Sequence, residues 1–161
     1  MTYNSKKTIT SMAAGVLLLI GYIIYALGPH APAPQALNRW AGAILIFIGI
    51  GIAGVIIIQI LFHIAYAIGI AAKEQHQSDK DVERILASTM VEDERDKLIN
   101  FKAAHASQIC AGLGFVAALA VLTFGGTALL GLHILLGAFS GGSLIEGAVS
   151  IHLYERGVHN G

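Results

Sequence analysis

The stretch that decides the fold is Val91-Glu92-Asp93-Glu94-Arg95-Asp96-Lys97-Leu98-Ile99-Asn100-Phe101-Lys102. It is the densest run of charge in a chain in which hydrophobic residues make up 55% and charged residues only 12%. Two long apolar segments precede it and two follow it. Because long apolar helices satisfy their own backbone hydrogen bonds inside a bilayer, this layout predicts an all-α membrane protein with two helical hairpins around a polar connector.

The composition favours the same class and excludes others. Mean hydropathy is +0.70, and the nineteen glycines are typical of transmembrane helices that approach closely. The formal net charge is zero and no long basic tract exists, so nucleic acid is not expected as a direct partner. The single cysteine, Cys110, cannot form an intrachain disulfide and is predicted to be a packing thiol.

Four spans of a single transmembrane domain, residues 1–161, are predicted from the apolar runs. They cover residues 9–28, 41–72, 103–124 and 128–153, and residues 73–102 form the connector. The basic start and Ala31-Pro32-Ala33 also resemble a cleaved signal peptide, but the apolar run is longer than a signal core and Pro34 follows. Trp40 is expected to be an interfacial anchor, and Gly125-Gly126-Thr127 a very short turn.

Lys and Arg residues predict the orientation. With four spans, both termini and the connector share one side of the bilayer, and that side carries nine of the ten Lys and Arg residues. Only Arg39 lies on the other side. Since cytoplasmic loops are enriched in positive charge, both termini and the connector are predicted to be cytoplasmic.

The connector allows two interpretations. Asp79 can cap a helix whose apolar face includes Val82, Ile85, Leu86 and Met90. If that helix is unbroken, the same face continues into the third span and the charged stretch points partly at the bundle, through Asp93, Asp96, Asn100 and Ser107. Alternatively, the stretch is a solvated helix whose carboxylates pair with Arg95, Lys97 and Lys102.

Two short motifs carry a family resemblance. One is Asp93-Glu94-Arg95-Asp96-Lys97-Leu98-Ile99 before a span, and the other is Tyr154-Glu155-Arg156-Gly157-Val158 after the last span. Together they resemble a largely uncharacterised family of small bacterial four-helix membrane proteins, often encoded beside helix-turn-helix regulators. The resemblance implies the bacterial inner membrane and a cytoplasmic regulatory partner, and it supplies no catalytic residues. Candidate contacts for such a partner are Asp93, Arg95, Asp96 and Arg156.

Polar residues inside the spans are the candidate site. Glu146 is the most informative of them, because an ionisable group in a span is costly and normally faces protein or a water-filled cavity. Ser143, Gly147, Ser150 and Tyr154 continue its helix face. On the second and third spans, Gln59, His63, Tyr66 and Ser107 lie at comparable depth, with Asn100 and Gln108. These positions predict a buried polar layer that contains Glu146, His63 and Gln59, with Ser107 or Gln108 nearby. The candidate residues for binding a ligand or a proton are Glu146, His63, Gln59, Tyr66, Ser143 and Ser107.

Several functions are compatible with such a layer. It can simply hold helices together through hydrogen bonds, or it can bind a ligand or a proton. The leading hypothesis is a non-enzymatic, sensor-like binding protein that reports through residues 79–102. The second is a small proton-linked transporter or channel subunit that uses Glu146 and forms a homo-oligomer, because four helices enclose little volume.

A haem-binding redox protein is the third hypothesis, since the chain has seven histidines. His63, His105 and His152 are near one depth, but His105 and His152 lie on other helix faces than Ser107 and Glu146. The spacings match no zinc motif, P-loop or catalytic triad. No catalytic residue, metal site or cofactor is therefore predicted.

Overall fold

The computed structural model describes residues 3–73 and 94–156 and has four α-helices there. They are α1 (Tyr3–Leu27), α2 (Leu37–Lys73), α3 (Glu94–Thr123) and α4 (Ala128–Arg156). All four are long and apolar enough to cross a membrane, which confirms the predicted all-α fold with four potential spans. Most of the predicted connector, with Asp93 and the apolar face from Val82 to Met90, lies outside the described residues.

The helices extend beyond the predicted spans, most of all in α3. This helix is continuous from Glu94 to Thr123, so the second half of the charged stretch belongs to it. Ile99 and Ala103 are fully buried, whereas Phe101 is exposed. Glu94 and Lys97 form an exposed ion pair at 3.5 Å, which stabilises the helix little. Charged residues at the start of α3 can therefore continue a helix whose buried face is set by its apolar positions.

The turn between α3 and α4 follows from its glycines and threonine. Gly125 has a φ of 82°, a left-handed conformation that costs glycine little. The amide of Gly126 donates to the Val121 carbonyl at 2.8 Å, as in a Schellman helix end. Thr127 then caps α4, because its Oγ1 accepts a hydrogen bond from the Leu130 amide at 3.2 Å. The predicted break at this position is present.

Helix α4 lies at the centre of the packing. It packs most extensively against α3 and also against α1, while α1 packs against α2. Among the described residues α2 has only a small contact with α4 and almost none with α3. Within residues 3–73 and 94–156, three neighbouring helix pairs therefore pack together, and α2 and α3 do not pack on each other.

Burial is inverted relative to a water-soluble bundle. The buried apolar residues are few and mostly aromatic or small, such as Tyr22, Ala103 and Ala118. Large aliphatic side chains point outward along the helices, and Leu17, Leu45 and Leu113 are each at least two-thirds exposed. Small residues bring α3 and α4 together, because Gly114 faces Ala138 and Gly142 faces Ser107.

Candidate functional site

A cavity of about 580 Å³ lies at one end of the bundle, where α1 and α3 begin and α2 and α4 end. It is partly open, and side chains from all four helices line it. Most lining side chains carry a carboxyl, amide, hydroxyl, imidazole or ammonium group. The volume lies within the usual range of small-molecule sites, so this cavity is the candidate functional site.

Helix α4 supplies the acidic wall. Ser143, Glu146, Gly147, Ser150 and Tyr154 all line the cavity, as expected for positions that recur every three or four residues on one helix face. Within residues 3–73 and 94–156, the Glu146 carboxyl group has no hydrogen-bond or ion-pair partner. The same holds for the hydroxyl group of Ser150, although this residue is only 6% exposed. Buried polar groups ordinarily bond to protein or to ordered water, so both groups can bond to whatever occupies the cavity.

Helix α1 supplies a polar wall that the sequence analysis missed. Asn4, Lys7, Thr8 and Ser11 line the cavity, followed by Gly15. Asn4, Thr8, Ser11 and Gly15 recur at the spacing of one helix face. That periodicity is present in the sequence, but this apolar run predicts only a span. The side chain of Met12 fills the space above Gly147, where α1 and α4 touch.

Helices α2 and α3 complete the cavity. Gln59 and His63 face it from α2, and Asp96 and Asn100 face it from α3. Both α3 residues belong to the charged stretch from which the fold was predicted. Within the described part of this stretch, Asp96 faces the cavity, whereas Glu94 and Lys97 face outward.

The predicted site residues separate into two groups. Gln59, His63, Ser143 and Glu146 come together around the cavity. Ser107 does not line it and instead packs against Gly142. Tyr66 also lies outside the lining and stacks on Phe62, with ring centroids 6.3 Å apart.

The residues predicted to contact a cytoplasmic partner separate in the same way. Arg95 and Arg156 are exposed, whereas Asp96 is half-buried at the cavity. Asp93 lies outside the described residues. Asp96 thus belongs with the cavity, and the two arginines remain on the surface.

Charge in the cavity is unequal. Glu146 and Asp96 contribute two carboxyl groups, Lys7 contributes one ammonium group and His63 one imidazole. Acidic groups therefore outnumber the permanently basic one. This imbalance favours a cation over an anion in the cavity.

A second cluster lies toward the other end of the bundle. The Tyr22 hydroxyl group and His133 Nε2 are 3.0 Å apart, and His133 Nδ1 donates to the Leu129 carbonyl at 2.8 Å. In a neutral imidazole Nε2 then accepts from Tyr22. The Trp40 ring lies 5.1 Å from the His133 ring. The sequence analysis did not find this cluster, because His133 lies in the middle of an apolar run and its partner is far away in the chain.

Trp40, which was predicted to be an interfacial anchor, packs inside the protein. It is only 5% exposed. Its Nε1 donates to the Ala33 carbonyl of the preceding loop at 3.2 Å. The proline-containing loop folds back over the indole, so the residue closes the end of the bundle.

The Tyr22–His133 hydrogen bond allows a stability test. Tyr22→Phe keeps the ring contact with Phe47 but leaves His133 without this partner. We expect the free energy of unfolding to fall by about 1 kcal/mol, measured by thermal unfolding in detergent. Tyr25→Phe is the matched control, since the Tyr25 ring packs in the same cluster and its hydroxyl group has no hydrogen bond to a described residue. Equal losses in the two variants would contradict a contribution from the hydrogen bond.

The histidines are dispersed. His63 faces the cavity and His133 the opposite end, while His105 and His152 are exposed. In the described part of the chain no group of three or more His, Cys, Asp or Glu side chains could hold a metal ion. Cys110 lies against the Ala138 carbonyl, at 3.5 Å, as a packing thiol does.

No protein-family model, curated protein or solved structure matches this chain. Function must therefore be inferred from the cavity and the helices around it.

Proposed function

We propose that the chain is a non-enzymatic binding protein of the bacterial inner membrane that takes a small polar ligand into this cavity. Its four helices cross the bilayer as two hairpins, with both termini and the connector in the cytoplasm. Two features support insertion: the four helices are long and apolar enough, and their large aliphatic side chains point outward. The excess of Lys and Arg on one side supports the orientation.

The observation that carries the binding role is Glu146. Its carboxyl group lies on a potential membrane span, faces a cavity of about 580 Å³ and has no partner among the described residues. A residue that only held helices together would bond to a neighbouring helix. An ionisable group without such a bond is instead available to a ligand.

The position of α3 supports a regulatory output. Asp96 and Asn100 line the cavity and lie in the charged stretch at the start of this helix. Arg95, next to Asp96, is exposed. A ligand that contacts Asp96 therefore acts on the helix that begins beside the connector. We infer that residues 79–102 report occupancy of the cavity to a cytoplasmic regulatory protein, as the family resemblance implies.

Native mass spectrometry of the full-length protein extracted from membranes tests the binding role. We expect a non-covalent small molecule on the wild-type protein that is lost from Glu146→Gln. Glu155→Gln is the matched control, because Glu155 lies on the same helix but is exposed and outside the cavity. A bound molecule that survives equally in all three proteins would contradict a site at Glu146.

The regulatory output has its own test. Arg95→Gln combined with Arg156→Gln should leave ligand retention unchanged, since neither arginine lines the cavity. It should abolish the crosslinked complex with the cytoplasmic partner. Retention of that complex would contradict the proposed partner contacts.

A proton-linked transporter or channel subunit is the second candidate. It is favoured by a smaller pocket of about 90 Å³ that shares Gly15 with the large cavity and extends to Tyr22. Space thus continues along α1 from Gly15 to Tyr22, past the apolar side chains of Leu18 and Leu19. In this case we expect a homo-oligomer.

Liposome flux separates this candidate from the first. Glu146→Gln should abolish flux driven by a pH gradient, because the amide cannot exchange a proton. Glu155→Gln should retain it. Unchanged flux in Glu146→Gln, or no flux in the wild-type protein, would rule out the transport role.

A further inference from the structure

A second pocket with different chemistry adjoins the large cavity. Beyond Gly15, which lines both spaces, a partly open pocket of about 90 Å³ is lined mainly by Leu18, Leu19, Phe47, Ile48 and Leu136, together with Tyr22 and Ser140. The large cavity contains two carboxyl groups, whereas this pocket contains no charged group. A polar, acidic space therefore adjoins an apolar one.

The acidic cavity contains polar side chains that can bond to a ligand. Ser150 is 6% exposed, lines the cavity and has no hydrogen-bond partner among the described residues. Glu146 lines the same wall, one turn away, and is likewise without a partner within the described chain. A ligand with a hydrogen-bond donor would satisfy both oxygens. A cationic donor is favoured because Glu146 and Asp96 outnumber Lys7.

The bundle also offers a lateral route. The described parts of α2 and α3 make almost no contact with each other, although both contribute to the cavity wall. In a protein inserted as proposed, that opening faces the cytoplasmic leaflet. A molecule that partitions into the leaflet with its charged end at the surface can enter there without crossing the packed α1–α4 contact.

From these observations we propose that the cavity binds an amphiphilic organic cation. Its ammonium group lies beside Glu146 and its short alkyl or aryl part passes Gly15 into the apolar pocket. This inference rests on the proposed function and specifies the ligand class of that same site.

The charge requirement is tested by titrating nanodiscs that contain the full-length protein with n-hexylammonium, hexanoate and hexanol. Because all three probes also partition into lipid, nanodiscs with Glu146→Gln serve as the reference. We expect n-hexylammonium to bind the wild-type protein at least about tenfold more tightly than the variant, since a charge-assisted hydrogen bond is lost. Hexanoate and hexanol should show no difference.

The tail requirement is tested at Gly15. An added Cβ there meets no atom within 4 Å, so Gly15→Leu should fold and obstruct the passage between the two spaces. We expect about a tenfold loss for n-hexylammonium and no change for ethylammonium, which fits within the large cavity. Gly137→Leu is the matched control, because Gly137 is exposed and its Cβ would also meet no atom within 4 Å.

The outcomes distinguish the two levels of the proposal. Glu146-dependent binding of hexanoate or hexanol, with none of n-hexylammonium, would overturn the cationic class and leave a binding cavity in place. Equal losses for both amines in Gly15→Leu would overturn the placement of the tail. If none of the probes depends on Glu146 and no small molecule co-purifies with the protein, the ligand class and the binding function both fail.

Discussion

Replacement of Gly114 by leucine should prevent α3 from packing against α4. A Cβ on Gly114 would overlap the Cβ of Ala138 and lie 3.5 Å from the Cα of Ala138 and 3.8 Å from the Ile134 carbonyl oxygen. Because backbone atoms on the facing helix cannot rotate away, the helices must separate. Overpacking of this kind costs typically 1–3 kcal/mol, about 3 kcal/mol or more being expected for a leucine here. We expect a large fall in the thermal unfolding temperature and loss of monodisperse protein in size-exclusion chromatography.

Gly112→Leu is the matched control for this effect. Gly112 lies on the same helix, is exposed, and its Cβ would meet no atom within 4 Å. Both substitutions remove a glycine from a helix interior and add the same side chain, so helix propensity changes equally. The difference between the variants isolates the contact with α4. Similar unfolding temperatures would mean that α3 and α4 do not cross at Gly114.

The sequence of α3 contains small residues that can allow a close crossing, but it does not show what they meet. The spacing of Ala103, Gly114 and Ala118 indicates a small-residue face, and all three are buried. Their partners on α4 include Ala138 and Gly142. Helical periodicity gives the face of each helix, whereas the axial offset between two helices depends on packing along their whole length.

Hydropathy predicted the number of potential spans because the apolar runs exceed the length that a bilayer requires. It did not predict where the helices end, since the backbone of Glu94 gains the same hydrogen bonds whether its side chain lies in lipid or water. Helix α3 therefore includes Glu94 and the other described charged residues that precede the predicted span. Hydropathy likewise did not reveal the polar face of α1, because Asn4, Thr8 and Ser11 precede the most apolar part of the helix.

The candidate site was partly predictable for a physical reason. Glu146, His63 and Gln59 are costly inside a span and therefore conspicuous, and they do line one cavity. Tyr66 and Ser107 are tolerated at many depths, because a tyrosine ring packs on Phe62 and a serine fits against Gly142. Polarity alone thus located the carboxyl, imidazole and amide groups of this site, whereas among the hydroxyl-bearing candidates it located Ser143 but not Tyr66 or Ser107.

Replacement of Glu146 by leucine should stabilise the protein and abolish ligand binding together. The Glu146 carboxyl group is half-buried and has no partner in the described part of the chain. Its removal therefore breaks no internal bond and relieves a desolvation cost of about 1–3 kcal/mol. We expect a higher thermal unfolding temperature in nanodiscs and loss of the co-purifying small molecule in native mass spectrometry.

Glu155→Leu, on the same helix but exposed, makes the equivalent chemical change outside the cavity. It should alter the unfolding temperature little and leave the bound molecule in place. Whether Glu146→Leu raises or lowers the unfolding temperature decides the role of this residue. A carboxyl group that held helices together would cost stability when lost, because its former partner would be left unsatisfied in a low dielectric. A fall in unfolding temperature for Glu146→Leu would therefore assign Glu146 to structure and contradict its proposed role as a ligand group. A rise in unfolding temperature together with lost binding is the expected result. It would mean that the wild-type protein keeps an unsatisfied charge for function at a cost in stability.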